Sequence, residues 1–166
     1  MKGATMGKDT IYIHYASHEE DSTGFEPFQI MVGNCFANNY STKPVGLWAS
    51  PVDSEYGWKD FVLAEDFGKL YHSWKFKLKK DAKILHVYKN EDILPYVVPE
   101  EKRDQESLDA KKYYLVSWHW NPNVYDDYDG VELHYCHDIE SLRYGFFYSW
   151  DCDSIVIWNP NIIVEI

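Results

Sequence analysis

The chain is poor in positive charge. Its 166 residues carry 16 Lys and Arg against 27 Asp and Glu, a formal net charge of −11. Non-specific binding to nucleic acid needs clustered cations to displace counterions. The one short basic run, Lys75 to Lys83, alternates with Phe76 and Leu78 and reads as the wet face of a strand. Nucleic acid is therefore disfavoured as the main partner. Long apolar runs are also missing: no stretch approaches the roughly 18 residues that would span a bilayer, so no membrane partner is expected. Cysteines are few. Cys35, Cys136 and Cys152 cannot all be bridged within one molecule, and no signal-type apolar stretch opens the chain, so a reducing, cytoplasmic location is expected. There is no Cys-x-x-Cys knuckle, no Gly-rich phosphate loop and no Ser-centred nucleophile elbow.

Aromatic residues, by contrast, are abundant at 17%, with seven Trp and fourteen Tyr. Such residues suit a strand-rich core with amphipathic tyrosines at its rim, or a cleft that stacks planar rings. The length suits one domain over residues 1–166.

Strand patterning dominates. Ile11–Tyr15, 28–32, Val45–Ser50, Tyr71–Leu78, Ala82–Tyr88, Phe146–Trp150, Ser154–Trp158 and Asn161–Ile166 read as strands, and Tyr128–Tyr135 as a turn running into one. Within Tyr71–Leu78, Trp74, Phe76 and Leu78 fall on one side and Lys75 and Lys77 on the other. Trp58, Phe61 and Val62 at i, i+3 and i+4 predict a short helix, and Asp138 is placed to cap another over 138–144. Residues 90–105 read as a surface connection, while 107–119 stays ambiguous between helix and strand. The expected class is α+β, with split antiparallel sheets and a few short helices.

Three dispersed segments carry residues of catalytic type. His14 sits in Ile13-His14-Tyr15, where its ring nitrogens suit a ribose hydroxyl or a core partner. Gly46-Leu47-Trp48-Ala49-Ser50 is a strand opened by a glycine, which lets backbone or a planar ligand approach closely. Glu132, in Gly130-Val131-Glu132-Leu133, points away from its apolar neighbours. That leaves it either a solvated glutamate on a wet strand face or a carboxylate able to stabilise a developing positive charge. His134 and Cys136 share a face if the strand continues through them, but without paired knuckles no metal site is expected. Cys136 and His137 would then point to opposite faces, a poor geometry for thiol activation.

Taken in order, these segments resemble the ADP-ribosyltransferase superfamily, in particular its histidine–tyrosine–glutamate branch of poly(ADP-ribose) polymerases and diphtheria-like toxins. The resemblance implies an ADP-ribosyltransferase-like fold that binds NAD as substrate. It implies that His14 holds the adenosine-side ribose and that Gly46, Trp48 and Ser50 border the nicotinamide pocket. Tyr56 or Trp58 would stack on the nicotinamide, and Glu132 would drive ribosyl transfer. Trp48 stands where the branch carries tyrosine, and Tyr15 where polymerases carry glycine. Water as acceptor would make the protein a glycohydrolase, and a macromolecule, protein above all, would make it a transferase. The rival expectation is a non-catalytic, acidic protein-binding module. The related RNA 2′-phosphotransferase chemistry would need phosphate-gripping cations near these motifs, and the sequence has few there.

Overall fold

The computed structural model describes residues 9–16, 44–99, 118–120, 123–143, 146–147 and 150–166. The expected strand at 28–32, most of the ambiguous 107–119 segment and Cys35 lie outside the described residues.

Nine strands are present among them: β1 (Tyr12–Tyr15), β2 (Leu47–Pro51), β3 (Ser73–Leu78), β4 (Ile84–Val87), β5 (Val97–Pro99), β6 (Trp118–Trp120), β7 (Gly130–Leu133), β8 (Ser154–Ile157) and β9 (Ile163–Glu165). Seven form one sheet in the order β4-β7-β8-β2-β1-β3-β9, and β5 pairs with β6 separately. Within the large sheet only β4–β7 is parallel; the other pairs are antiparallel. The class is thus mixed α+β and strand-rich. The large sheet is continuous, with one parallel pair, where split antiparallel sheets were expected.

Both faces of the sheet are covered. One packs Leu85, Val87, Val131, Leu133 and Val156 against Leu142, Phe146, Phe147 and Trp150. The other joins Tyr12, Leu47, Ala49, Phe76, Ile155 and Ile157 to Ile162. Double coverage explains why every residue of β7 and of β8 is buried and why these two strands show no polar alternation. Edge-to-face ring pairs tighten the first core, with Phe147 and Trp150 at 4.9 Å and Trp120 and Phe146 at 5.0 Å.

The period-2 reading of β3 holds in place and in phase, with Phe76 fully buried. The helix expected at Trp58 is α1 (Trp58–Ala64). Seven residues are too few for a helix to stand alone, and this one is anchored at its start. The Gly57 amide donates to Asp60 Oδ2 at 2.9 Å, and the Trp58 amide donates to Ser50 Oγ at 2.9 Å. Two single-turn helices follow, α2 (Val124–Asp127) and α3 (Ile139–Leu142), and the Asp138 side chain caps α3 by accepting from the Ser141 amide.

Two expectations change. The apolar run at 146–150 is not a strand where it is described; Phe146, Phe147 and Trp150 lie in turns and plug the first core. The reason is topological: both edges of β8 are already taken by β2 and β7, so a strand at 146–150 finds no free edge on the next strand in sequence. The strand through Glu132 also ends at Leu133, and Tyr135–His137 forms a 3₁₀ turn. His134 and Cys136 therefore share no strand face. No helix among the described residues is long and apolar enough to cross a membrane.

Candidate functional site: a buried carboxylate between two histidines

Glu132 is the most unusual side chain of the fold. It does point away from Val131 and Leu133, but the face it points to is also covered, and its exposure is 0%. The bland expectation of a solvated glutamate is overturned for that reason. The strand is held close to its neighbour at Gly130, where a Cβ would lie 2.5 Å from the Val156 carbonyl oxygen.

Three groups surround the carboxylate. The Tyr12 hydroxyl donates to Oε2 at 2.9 Å. The parallel register sets His86 of β4 directly beside Glu132, with Nδ1 3.5 Å from Oε2. The same Nδ1 is 3.2 Å from His134 Nε2. His134 follows the end of β7, where its amide donates to the Val87 carbonyl at 2.8 Å, and its ring stacks on Tyr88 at 4.1 Å. Glu132 Oε1, the second oxygen, has no hydrogen-bond partner among the described residues.

Burial dominates the electrostatics of this centre. It pushes the Glu132 carboxyl up to about 7, against the Tyr12 hydrogen bond, which favours the ionised form. Asp153 and Asp53 raise it further. Burial also lowers His86, and it lowers His134 to about 4 with help from His86 and His137. Tyr12 is held well above the ordinary tyrosine range, first by burial and then by the Glu132 charge. Desolvation penalises both charged forms, so the His86–Glu132 contact is weakened as an ion pair, and Glu132 ionises only as pH rises through about 7.

His14 lies on the same sheet face. Glu132 pairs with Ile155 and Ile155 with Ala49. One step along the register that joins Ile13 to Ser50, Ala49 stands opposite His14, which in turn pairs with Trp74. One cross-strand row thus runs His86, Glu132, Ile155, Ala49, His14, Trp74. Three strand spacings, roughly 14 Å, separate the backbones of Glu132 and His14. Nδ1 of His14 donates to the Trp48 carbonyl at 2.6 Å, so in the neutral ring Nε2 is the nitrogen able to accept. The Trp74 ring stacks on His14 with centroids 6.0 Å apart.

The remaining sequence candidates are not brought to this face. Trp48 pairs with Val156 and packs edge-on against Trp150 at 4.7 Å in the first core. Ser50, two residues on, shares that face; its hydroxyl donates to the Asp153 carbonyl at 2.8 Å and caps α1. Because Trp58 starts the helix that Ser50 anchors, it lies on that side too, stacked on Phe61 at 5.5 Å. Tyr56 lines an open groove of about 540 Å³ with Glu55, Glu65, Tyr135 and Arg143. Neither Glu132 nor His14 borders that groove. At Gly46 a Cβ would sit 2.5 Å from the Ile157 carbonyl oxygen, so the glycine serves strand packing. The nicotinamide pocket expected from Gly46, Trp48, Ser50 and Tyr56 or Trp58 is therefore not assembled around Glu132: strand alternation sends Trp48 and Ser50 to the opposite face, and Tyr56 and Trp58 follow β2 on the side of α1.

Sequence reasoning missed Tyr12 and His86 altogether, and it weighed His134 only with Cys136. The signal for Tyr12 was its two-residue spacing from His14, which puts both on one face. His86 carried no such signal, since only the parallel β4–β7 pairing makes it a neighbour of Glu132. Comparison with family models, with curated proteins and with solved structures finds no match to this chain.

Proposed function

We propose that this protein binds NAD and cleaves its nicotinamide–ribose bond, transferring ADP-ribose to water or to a macromolecular acceptor. The observation that carries the reading is the shared row of His14 and Glu132 on one sheet face, with the apolar Ala49 and Ile155 between them. His14 Nε2 would accept from a ribose hydroxyl, and Trp74 beside it offers a flat ring for stacking. As the glycosidic bond lengthens, nicotinamide departs neutral and the ribosyl carbon gains positive charge. An ionised Glu132 stabilises that charge, the more so in a site of low dielectric.

Because Glu132 and His14 are both buried, at 0% and 6% exposure, substrate reaches them only if the side chains above them move. Tyr12 is the group to move, since its hydroxyl is bonded to the carboxylate, and the partly exposed His86 adjoins solvent. Trp48, Ser50 and Trp58 have no contact with substrate in this reading.

The test is nicotinamide release from NAD by the purified protein, read beside thermal stabilisation by NAD. Release that is lost in Glu132→Gln, with NAD stabilisation weakened in His14→Ala, is the expected result. A protein that neither gains stability with millimolar NAD nor releases nicotinamide would sink the reading and favour a non-catalytic, acidic protein-binding module.

A further inference from the structure

We propose that His86, Glu132 and His134 form a binding site for a single divalent transition-metal ion, zinc being the best match. Their donor atoms, one per residue, all lie within 4.8 Å of one another. Two separations are tighter: His86 Nδ1 is 3.2 Å from His134 Nε2 and 3.5 Å from Glu132 Oε2. A tetrahedral zinc ion with bonds of about 2.0–2.2 Å sets neighbouring donors roughly 3.3–3.6 Å apart. Two of the three separations thus match edges of a coordination tetrahedron, and the third, between His134 and Glu132, is within 4.8 Å.

A second observation points to the same ligand. Glu132 is fully buried, yet its Oε1 has no partner among the described residues. A buried acceptor without a donor is costly, the more so when charged, and a cation held by the same carboxylate offsets that cost. The outer contacts are those a metal ligand needs. Tyr12 donates to Oε2 and orients the carboxylate, and the Tyr88 ring, 5° from parallel, fixes the plane of His134. Two imidazoles with one carboxylate favour zinc and its transition-metal neighbours over magnesium or calcium, which select oxygen donors. The His86 side chain is 36% exposed, giving the ion a route from solvent and leaving a coordination position for water.

The ion would also occupy the carboxylate assigned to ribosyl transfer, so a consequence resting on the proposed NAD chemistry is that zinc inhibits it. The binding test does not depend on that chemistry. Chelator-treated protein is titrated with zinc and with cobalt, and stoichiometry, thermal shift and the visible cobalt spectrum are recorded. One ion per chain with a tetrahedral cobalt spectrum is expected. His86→Ala and His134→Ala should each weaken zinc by more than the roughly 10–100-fold typical of an outer-shell loss, whereas His137→Ala, altering an exposed neighbour, should not. Circular dichroism confirms that each variant is folded, and His86→Gln is a second, milder removal of the donor. No stoichiometric binding to the wild type, or binding undiminished in both folded histidine variants, overturns the site. Zinc that binds without suppressing nicotinamide release leaves the metal site standing and removes Glu132 from the NAD reaction.

Discussion

The hydroxyl of Tyr12 donates to Glu132 Oε2 at 2.9 Å across 120 positions of the chain. The bond spans the intervening strands β8 and β2, tying the half of the sheet that carries β1 to the half that carries β7. It gives a buried carboxylate a donor, and bonds to charged acceptors are about twice as strong as neutral ones. Tyr12→Phe should therefore cost roughly 1–3 kcal/mol above neutral pH. In a Glu132→Gln background, where the acceptor is a neutral amide, the same change should cost less. Urea unfolding of the four proteins measures the coupling; equal losses in the two backgrounds would mean that the bond carries no charge-assisted stability.

Gly46 and Trp48 are framework residues. A methyl group at position 46 meets the Ile157 carbonyl oxygen at 2.5 Å and Val156 Cγ2 at 2.8 Å. Backbone on the receiving side cannot rotate away, so Gly46→Ala should lower stability by roughly 1–3 kcal/mol. A lowered denaturation midpoint is the expected result. An unchanged one would show that β2 and β8 are less closely apposed.

The two faces of the sheet separate ligand effects from packing effects. Trp58→Ala alters only the α1 side, so it should leave NAD stabilisation intact. Trp74→Ala strips the ring beside His14 and should reduce that stabilisation severalfold. Trp48→Phe should lower the melting temperature by loosening the contact with Trp150 without changing the NAD increment. Thermal shifts with and without NAD decide among these; a reversed pattern would put the binding face on the side of α1.

Cys152 predicts a pH dependence of stability. Burial pushes its thiol up to about 11, opposed by the Ser154 hydroxyl and reinforced by Asp153. In the unfolded chain the thiol ionises near 9, so above that pH the unfolded state sheds a proton that the folded state keeps. The contribution of Cys152 to stability then falls as pH rises from about 9 and is spent past about 11, a loss on the order of 2 kcal/mol. Cys152→Ser removes this group's share and should make the decline shallower, while Cys136, whose thiol burial also pushes up to about 12, keeps its own share. Denaturant midpoints at stepped alkaline pH test it, and an identical decline in the variant would assign the effect elsewhere.

Much of the fold was legible locally. Alternating Trp74, Phe76 and Leu78 mark β3, and the i, i+3, i+4 spacing of Trp58, Phe61 and Val62 marks α1. Asp138 announces the start of α3. The misreadings have a common cause. Phe146 to Trp150 has strand composition, but a strand also needs a free edge, and β8 had none to offer. Trp48 and Ser50 looked like pocket residues because they are close to Gly46 in sequence, yet side-chain period along β2 turns them away from Glu132.

The α+β class, the short reach of the helices, the strand residues on either side of Glu132 and the direction in which that side chain points were all readable along the chain. These follow from propensity and from periods of two and 3.6, which act over a few residues. That the face beyond Glu132 is covered, that Tyr12 reaches it and that two histidines stand beside it came only with the assembled sheet. Those facts depend on which strands pair, above all on the parallel contact of β4 with β7. Pairing between distant segments is fixed by the packing of the whole sheet, and no local pattern encodes it.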